Sequence, residues 1–265
     1  MNDRINQLQV LASQVSGCTR CALHEKRTQT VFARGTGSSG LFFVGEGPGA
    51  EEDAQGFPFV GAAGLLLDKM IAAMGLSRDE VYVCNIVKCR PPNNRKPEPE
   101  EMAACMPYLA EQIELIEPSV IVALGATAVQ GLLGTSEGIM RLRGKWKLYK
   151  GRIAVMPTFH PAYVLKTPEA EQDFMGDLEA VLRQMGRPTP KGVVDVRSVT
   201  FTIDNKSAAR ADHWKDAHGP CKVESPEDRQ FQWRISTSTS GLGRVVHIAC
   251  LSCGCWVDVT SYDDW

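Results

Sequence analysis

The sequence predicts an α/β fold whose mostly parallel sheet is covered by helices on both faces. Short apolar runs of strand length alternate three times with segments of helical periodicity. The runs are apolar at nearly every position, which is typical of strands buried on both faces. In sheets of this kind, ligands bind at the carboxyl ends of the strands. We therefore expect the binding site in the loops that follow the apolar runs.

The predicted elements follow the chain in order, beginning with an amphipathic helix over residues 3–15. We expect strands over 41–44, 79–89, 119–124 and 153–156, and further helices over 61–74, 98–116, 125–133 and 169–185. Pro107 is expected to kink or interrupt its helix, because proline removes a helical hydrogen bond. The proline-rich residues 90–99 are expected to form an irregular loop.

A basic and aromatic segment precedes the last predicted strand. Residues 141–152 alternate basic with apolar side chains around Trp146 and Tyr149, which predicts a hairpin with one basic face. Such a face is either simply solvated or, beside a ligand loop, in contact with phosphates. The formal net charge of −2 excludes a globally basic nucleic-acid binder and is compatible with a local basic surface.

Composition divides the chain into two parts. Residues 187–192 have the glycine and proline content of a linker, so we expect a first domain over 1–186 and a small β-rich domain over 193–265. Strands are predicted there over 193–203, 231–236 and 244–248. The candidate zinc ligands of this domain are His218, Cys221, Cys250, Cys253 and Cys255. The alternative is a set of reduced cysteines in a small β-domain.

The role expected of the nine cysteines depends on the cellular compartment of the protein. No apolar run approaches the length of a membrane span and the N-terminus has no signal-peptide pattern, so we expect a cytoplasmic protein without a membrane partner. Cysteines in that compartment indicate metal binding or catalysis rather than disulfides. Four of them form a candidate metal set in the first domain: Cys18, Cys21, Cys89 and Cys105. Four thiolates suit either zinc or a 4Fe–4S cluster, and their spacing leaves both open.

The loop after the first strand is the candidate ligand site. Gly45, Gly47 and Gly49 permit a sharp turn and a close approach to a ligand, and acidic and aromatic residues follow. The loop lacks both the P-loop lysine and the dinucleotide spacing, and its carboxylates repel phosphates. It suits a neutral planar ligand such as a base, beside a water to be activated. The alternative is a surface turn of solvated acids.

Two polar residues elsewhere have two interpretations each. Asn85 lies inside an apolar strand, where a buried amide must be hydrogen-bonded. It either holds neighbouring backbone or presents its amide to the edge of a base. His160 follows the last strand and precedes a proline, which places it on a turn. On its own, it is either a hydrogen-bonded core histidine or part of a site.

Several short motifs occur in a characteristic order along the first domain. They are the glycine loop over 45–49, the segment 56–61, Asn85 with residues 88–92, His160 with residues 161–163, and the four-cysteine set. Together they resemble the iron–sulfur, family 4 branch of the uracil-DNA glycosylases found in bacteria and archaea. The resemblance covers about residues 1–186. It implies a three-layer α/β/α sandwich and a 4Fe–4S cluster, with zinc as the lesser alternative.

The resemblance also implies the reaction and the roles of the site residues. Enzymes of this family flip uracil out of DNA and hydrolyse its N-glycosidic bond, which leaves an abasic site. Phe59 is expected to stack on the uracil, Asn85 to bind its Watson–Crick edge, and His160 to stabilise negative charge on its O2 atom. Further implied site residues are Glu46 and Gly47 near the water, and Gly45 and Glu52 in the uracil pocket. Family 1 enzymes carry an aspartate at the position of Gly47, so the water-activating group stays open.

The expected partner is uracil-containing DNA, single- or double-stranded, bound by a monomer. Phosphate contacts are expected from Arg90, Arg95 and Lys96, and a wedge into the vacated base stack from Tyr163, Val164 and Leu165.

Two alternatives to turnover are distinguished by residues of the sequence. A covalent uracil-DNA-trapping relative carries a histidine in the loop after the second strand, and residues 90–99 contain none. A non-catalytic iron–sulfur DNA-binding module needs no anion-stabilising histidine behind an aromatic slot, so Phe59, Asn85 and His160 argue against it.

Overall fold

A computed structural model of the 265-residue chain describes residues 2–187 and three strands between residues 231 and 258. The chain divides into two compact units, Met1–Gly192 and Val193–Trp265. None of the described helices combines the length and apolarity that a bilayer-crossing helix needs.

A five-stranded sheet forms the centre of the first unit. Its strands are β1 (Leu41–Gly45), β2 (Tyr82–Asn85), β3 (Val120–Leu124), β4 (Lys147–Tyr149) and β5 (Ile153–Thr158). They lie in the order β2-β1-β3-β5-β4, and all neighbours are parallel except the antiparallel pair β4–β5. Every residue of β1, β2 and β3 is buried. The predicted mostly parallel sheet is therefore confirmed, and its parallel strands end at one common edge.

Helices cover both faces of this sheet. Within residues 2–187 they are α1 (Asn2–Ser16), α2 (Ala50–Gln55), α3 (Ala62–Ala73), α4 (Pro99–Ile116), α5 (Gly125–Leu133), α6 (Ile139–Leu142), α7 (Pro161–Lys166) and α8 (Ala170–Gln184). Phe42 and Val44 of β1 pack into one apolar core with α1, α4 and α5. Leu41 and Phe43 pack into a second core with α3, α7 and α8. The alternation of β1 between the two cores gives the expected three-layer α/β/α arrangement.

Three local predictions were wrong or incomplete. The second strand is shorter than expected, because the amides of Thr36 and Ser39 bind the carbonyls of residues 79 and 80, outside the sheet. Pro107 does not interrupt α4. It is exposed, as is Ala103 one turn earlier, so water can bind the carbonyl that the proline leaves unpaired. A 3₁₀ turn, Pro92–Asn94, interrupts the loop that was expected to be irregular.

The predicted basic hairpin is present as the β4–β5 pair. Its first residues instead form the short helix α6, which begins at Ile139 and ends at Leu142. Helices α2, α6 and α7 have six residues or fewer. A helix of that length is too short to produce a recognisable apolar period in the sequence.

The described part of the second unit is an antiparallel sheet. Strands β6 (Phe231–Thr237), β7 (Arg244–Cys250) and β8 (Trp256–Asp258) pair in that order. The first two agree with the predicted strands. The strand predicted over 193–203 lies outside the described residues, as do His218, Cys221, Cys253 and Cys255, while Cys250 is the last residue of β7.

Close packing of α3 on the loop before it depends on Gly64. A Cβ atom at Gly64 would overlap the carbonyl oxygen of Phe59, whereas one at Gly176, in α8, would meet no atom within 4 Å. We expect Gly64→Ala to lower the free energy of unfolding by about 1–3 kcal/mol, because the loop must move. Gly176→Ala should leave it unchanged or raise it by up to about 1 kcal/mol. Chemical denaturation measures both, and equal stabilities would contradict this packing.

Candidate active site

A pocket of about 240 Å³ lies at the sheet edge where β1, β2 and β5 end. The loop after β1, the end of β2, the loop before α4 and the start of α7 contribute its walls. Its lining consists of Glu46, Gly47, Pro48, Gly49, Glu52, Phe59, Ala63, Asn85, Pro91, Asn94, Arg95, His160 and Ala162. The predicted residues Glu46, Gly47, Glu52, Phe59, Asn85 and His160 thus come together from three parts of the chain: residues 46–59, the end of β2 and the start of α7.

Two glycines, Gly45 at the end of β1 and Gly47 in the loop after it, let the walls of this pocket approach one another. A Cβ atom at Gly45 would overlap Oδ1 of Asn85 and lie 2.6 Å from Cζ of Phe59. At Gly47 it would lie 2.7 Å from Cγ2 of Val87. These glycines are therefore needed for contact with the protein's own side chains, a requirement that the sequence alone did not reveal.

Glu52 holds the glycine loop against the loop that carries Phe59. Its carboxylate accepts hydrogen bonds of 3.0 Å from the backbone amides of Gly49, Val60 and Gly61. Phe59 has a φ angle of 56°, a left-handed conformation that is unfavourable for a residue with a side chain. The hydrogen bonds of Glu52 immediately after Phe59 help to maintain that conformation.

Asn85 is the last residue of β2 and lies opposite Gly45 in the sheet register. It is 2% exposed, and its Oδ1 atom has no hydrogen-bond partner among the described residues. A buried acceptor without a partner costs about 1–3 kcal/mol. The amide is therefore poised to accept a hydrogen bond from a donor in the pocket.

His160 caps α7 and contributes its ring to the pocket. Its Nδ1 atom accepts a hydrogen bond of 3.1 Å from the amide of Ala162, so the proton of the neutral ring lies on Nε2. Burial lowers the pKa of His160 to about 4, and the nearby Glu52 carboxylate only partly opposes this. The ring lies near Phe59, with 5.7 Å between centroids and 28° between planes. At neutral pH the imidazole is an uncharged donor through Nε2–H.

Glu46 is oriented by a residue that sequence reasoning missed. Its Oε2 atom accepts a hydrogen bond from the hydroxyl of Thr127, which is buried in the first turn of α5. The two residues are 81 positions apart in the chain. The only sequence signal was a hydroxyl at the start of the helix after β3.

The basic residues expected to contact phosphates differ in how they are held. Arg95 lines the pocket, but its guanidinium binds both oxygens of Glu101 at 2.7 and 2.8 Å. The Nε atom of Arg90 donates to Asn94 and the ammonium of Lys96 donates to Gln130. Arg95 is therefore part of a fixed ion pair, whereas the other two make exposed polar contacts.

The apolar residues after His160 divide between solvent and core. Tyr163 and Leu165 are 42% and 49% exposed. Val164 is 3% exposed and packs in the core with α3 and α8. The expectation that Val164 belongs to a surface wedge is wrong, because a helical turn directs it inward.

The four predicted cysteines line a second cavity. Cys18 and Cys21 lie between α1 and a 3₁₀ turn, Cys89 lies after β2, and Cys105 lies in α4. Each is free. The other lining residues are Val15, Arg20, His24, Arg27, Lys88, Ala104 and Tyr108, which include three cations and, among the described residues, no carboxylate. The cavity therefore has the polarity to hold an anionic group.

Hydrogen bonds to sulfur and to nearby backbone order this cavity. Arg27 donates to Sγ of Cys89 at 3.1 Å and to the carbonyl of Cys18 at 2.8 Å. The amide of Lys88 donates to Sγ of Cys105 at 3.3 Å. Burial raises the pKa of Cys105 to about 11 and also raises that of Cys89, against the pull of these cations. Within the described residues, no three Cys, His, Asp or Glu side chains converge on one metal-ion position.

Comparison with known proteins assigns the family. A protein-family model described as the uracil DNA glycosylase superfamily matches residues 32–183. The chain belongs to this superfamily. It is 48% identical over 172 residues to the type-4 uracil-DNA glycosylase of Thermotoga maritima. These residues amount to 64% of this chain and 90% of that protein.

Two further relatives of this superfamily member carry the same name. The type-4 uracil-DNA glycosylase of Archaeoglobus fulgidus is 38% identical over 193 residues, or 70% of this chain and 97% of that protein. The one from Saccharolobus solfataricus is 42% identical over 189 residues, or 67% of this chain and 88% of that protein. The family match, residues 32–183, lies within the unit that contains the pocket.

His160 should make the stability of this glycosylase superfamily member depend on pH. Its pKa is about 4 in the folded chain and 6.5 in the absence of burial. Between these values the unfolded chain binds more protons, so the free energy of unfolding falls as the pH is lowered from about 6.5 to 4. Above that window His160 contributes no further change. In chemical denaturation, the free energy of unfolding of His160→Gln should fall less steeply than that of the unmodified chain as the pH is lowered across this range. Parallel pH profiles of the two proteins would contradict the lowered pKa of His160.

Proposed function

We propose that this protein is a uracil-DNA glycosylase that hydrolyses the N-glycosidic bond of uracil in DNA, releasing free uracil and leaving an abasic site. The observation that carries the proposal is one pocket that combines an aromatic ring, a buried amide oxygen without a hydrogen-bond partner among the described residues, and a neutral imidazole N–H. The names of the relatives support it. We assign the activity to the first domain, residues 1–186, and treat 187–192 as a linker to a β-rich domain of unassigned role over 193–265.

Uracil enters such a pocket only after the nucleotide leaves the base stack. Phe59 offers a ring face on which the flipped base stacks, and Gly45 admits that ring close to the sheet. Tyr163 and Leu165 are exposed directly after His160 and occupy the space that the base vacates. Arg90 and Lys96 contact phosphates, while Arg95, paired with Glu101, orders the pocket wall.

Asn85 selects uracil by hydrogen bonding. Uracil presents an N3–H donor and an O4 acceptor, which match the Oδ1 and Nδ2 atoms of an amide. Cytosine presents the reverse pattern, so Oδ1 of Asn85 would face a lone pair and stay unpaired. Sites built to pair a specific polar group reject the wrong analogue strongly, because the buried partner is left unsatisfied.

His160 stabilises the leaving base. When the C1′–N1 bond breaks, its electron pair passes to uracil and negative charge develops on O2. A neutral Nε2–H donor at this oxygen lowers the barrier without proton transfer, as an oxyanion hole does. The low pKa of His160 favours this role, because the ring enters the reaction uncharged.

Glu46 orients the water that bonds to C1′. Thr127 binds one carboxylate oxygen and leaves Oε1 to accept a hydrogen bond from that water. The water oxygen bonds to C1′, and a water proton balances the charge of the departing uracil anion through solvent. Gly47, beside it, leaves room in the pocket and offers no side-chain base.

We also propose that the four-cysteine cavity holds a 4Fe–4S cluster. Four thiolates and three cations without a carboxylate fit a cluster with net negative charge. A mononuclear zinc ion bound by the same four sulfurs is the alternative. The bound cluster supplies structural cross-linking, since Cys18 and Cys21 would be tied to Cys89 and Cys105.

Excision from an oligonucleotide with a single uracil tests the enzymatic proposal. We expect the unmodified chain to produce alkali-labile breaks at uracil, and His160→Ala to be slower by about 100-fold or more, the loss typical of one oxyanion donor. Asn85→Ala should also lose excision. Gln14→Ala, on the exposed side of α1, should match the unmodified chain.

Two other outcomes of the same assay would redirect the proposal. A heat-stable protein–DNA adduct would assign the chain to covalent trapping. Neither breaks nor an adduct, with normal DNA binding, would leave a non-catalytic module.

Metal analysis tests the cluster. Purified protein should absorb near 400 nm and contain about four iron atoms and four acid-labile sulfides per chain, the composition of this cluster. Cys105→Ala should lose both, because it removes one ligand. Cys84→Ala is the matched control, since Cys84 is buried in β2 and does not line the cavity. One zinc per chain and no iron would contradict the cluster.

A further inference from the structure

Lys88 carries a buried charge that the mechanism above does not use. It is 1% exposed and ranks among the largest fully buried side chains. No carboxylate forms an ion pair with it within the part of the chain that the structure describes. A buried ammonium without an opposite charge is strongly unfavourable. The groups around the ammonium must therefore include another source of stabilisation.

The position of Lys88 between the two cavities suggests that source. On one side its ammonium donates a hydrogen bond of 2.7 Å to the main-chain carbonyl of Asn85. On the other side it lines the four-cysteine cavity, and its amide donates to Sγ of Cys105. One residue thus contacts both the strand end that presents Asn85 to the pocket and a ligand of the proposed cluster.

We propose that Lys88 is a positioning residue that couples the four-cysteine cavity to uracil recognition. A cluster bound by the four cysteines would compensate its charge and hold the ammonium in place, and the ammonium in turn fixes the carbonyl of Asn85. The side-chain amide of Asn85 is thereby held where it can form hydrogen bonds with the edge of uracil. This inference rests on the proposed function, because it assumes both the cluster and the binding of uracil by Asn85.

The geometry explains why a local change at Lys88 reaches the pocket. Asn85 is the last residue of β2, so no further strand pairing holds its carbonyl end. After it the chain turns, and the amides of Ile86 and Val87 bind the carbonyls of Gly45 and Glu46. Loss of the ammonium would free the Asn85 carbonyl in the turn between these contacts. The unpaired Oδ1 atom makes the position of Asn85 decisive for affinity.

Lys88→Met tests this coupling, with Lys69→Met as the matched control. Methionine keeps an unbranched side chain of similar length and removes the charge, while Lys69 is exposed on α3. We expect the dissociation constant for free uracil to rise about tenfold or more in Lys88→Met, the scale of losing a well-oriented buried hydrogen bond. Affinity for uracil-free DNA should stay within about twofold by the same estimate, and Lys69→Met should change neither. Unchanged uracil affinity in Lys88→Met would overturn the proposal.

A double-mutant cycle decides whether Lys88 acts through Asn85. In an Asn85→Ala background the amide is absent, so Lys88→Met should weaken uracil binding little further. Additive losses would show that Lys88 affects the pocket by another route and would overturn the proposal. Iron content, measured on every variant, separates loss of the cluster from loss of the Asn85 contact.

A measurement on the unmodified chain covers the case in which Lys88→Met does not fold. Binding at two coupled sites is reciprocal, so saturating free uracil should change the midpoint potential of the cluster beyond the scatter of repeat titrations. No change would overturn the coupling. Failure of the proposed function is distinguishable, because it appears as an unmodified chain that excises no uracil.

Discussion

The absence of a side chain at Gly45 is the constraint on which the pocket depends. Asn85 comes from the end of β2 and Phe59 from the loop before α3, and both occupy space that a Cβ atom at Gly45 would take. A parallel sheet brings the ends of β1 and β2 to one edge, where their backbones are separated by the distance between neighbouring strands. Because Gly45 has no side chain, the side chains of Asn85 and Phe59 can fill the space beside it. Recognition by stacking and recognition by hydrogen bonding can then act on the same small ring.

Burial determines the chemistry of the groups that the sheet brings together. His160 is kept neutral by its surroundings, and the hydrogen bond from Ala162 selects the tautomer with Nε2–H. The buried Oδ1 atom of Asn85 has no hydrogen-bond partner among the described residues. The free energy lost by leaving such groups unsatisfied is recovered when a ligand with matching atoms binds. The same burial that stabilises the fold therefore also defines what the pocket accepts.

The two cavities differ in their charged lining residues and are joined by one short segment. Glu46, Glu52 and the ion-paired Arg95 line the pocket at the sheet edge, whereas Arg20, Arg27 and Lys88 line the cysteine cavity. Residues 85–89 pass from one cavity to the other within five residues, since Asn85 lines the first and Lys88 and Cys89 line the second. Within this segment Lys88 donates from its backbone amide to Sγ of Cys105 and from its ammonium to the main-chain carbonyl of Asn85, so one residue contacts a lining residue of each cavity.

The sequence by itself determined the layer architecture, because strands buried on both faces must be apolar throughout and helices must carry a period of 3.6 residues. Resemblance of short motifs further predicted Phe59, Asn85, His160 and the four cysteines. Only the tertiary structure decided that Thr127 orients Glu46, that Arg95 is held by Glu101, that Val164 faces the core and that Lys88 contacts both cavities. Most of these contacts join side chains on different segments, and local pattern carries no information about distances between segments. Periodicity specifies which face of an element is buried, whereas packing of the finished fold specifies which polar atoms meet.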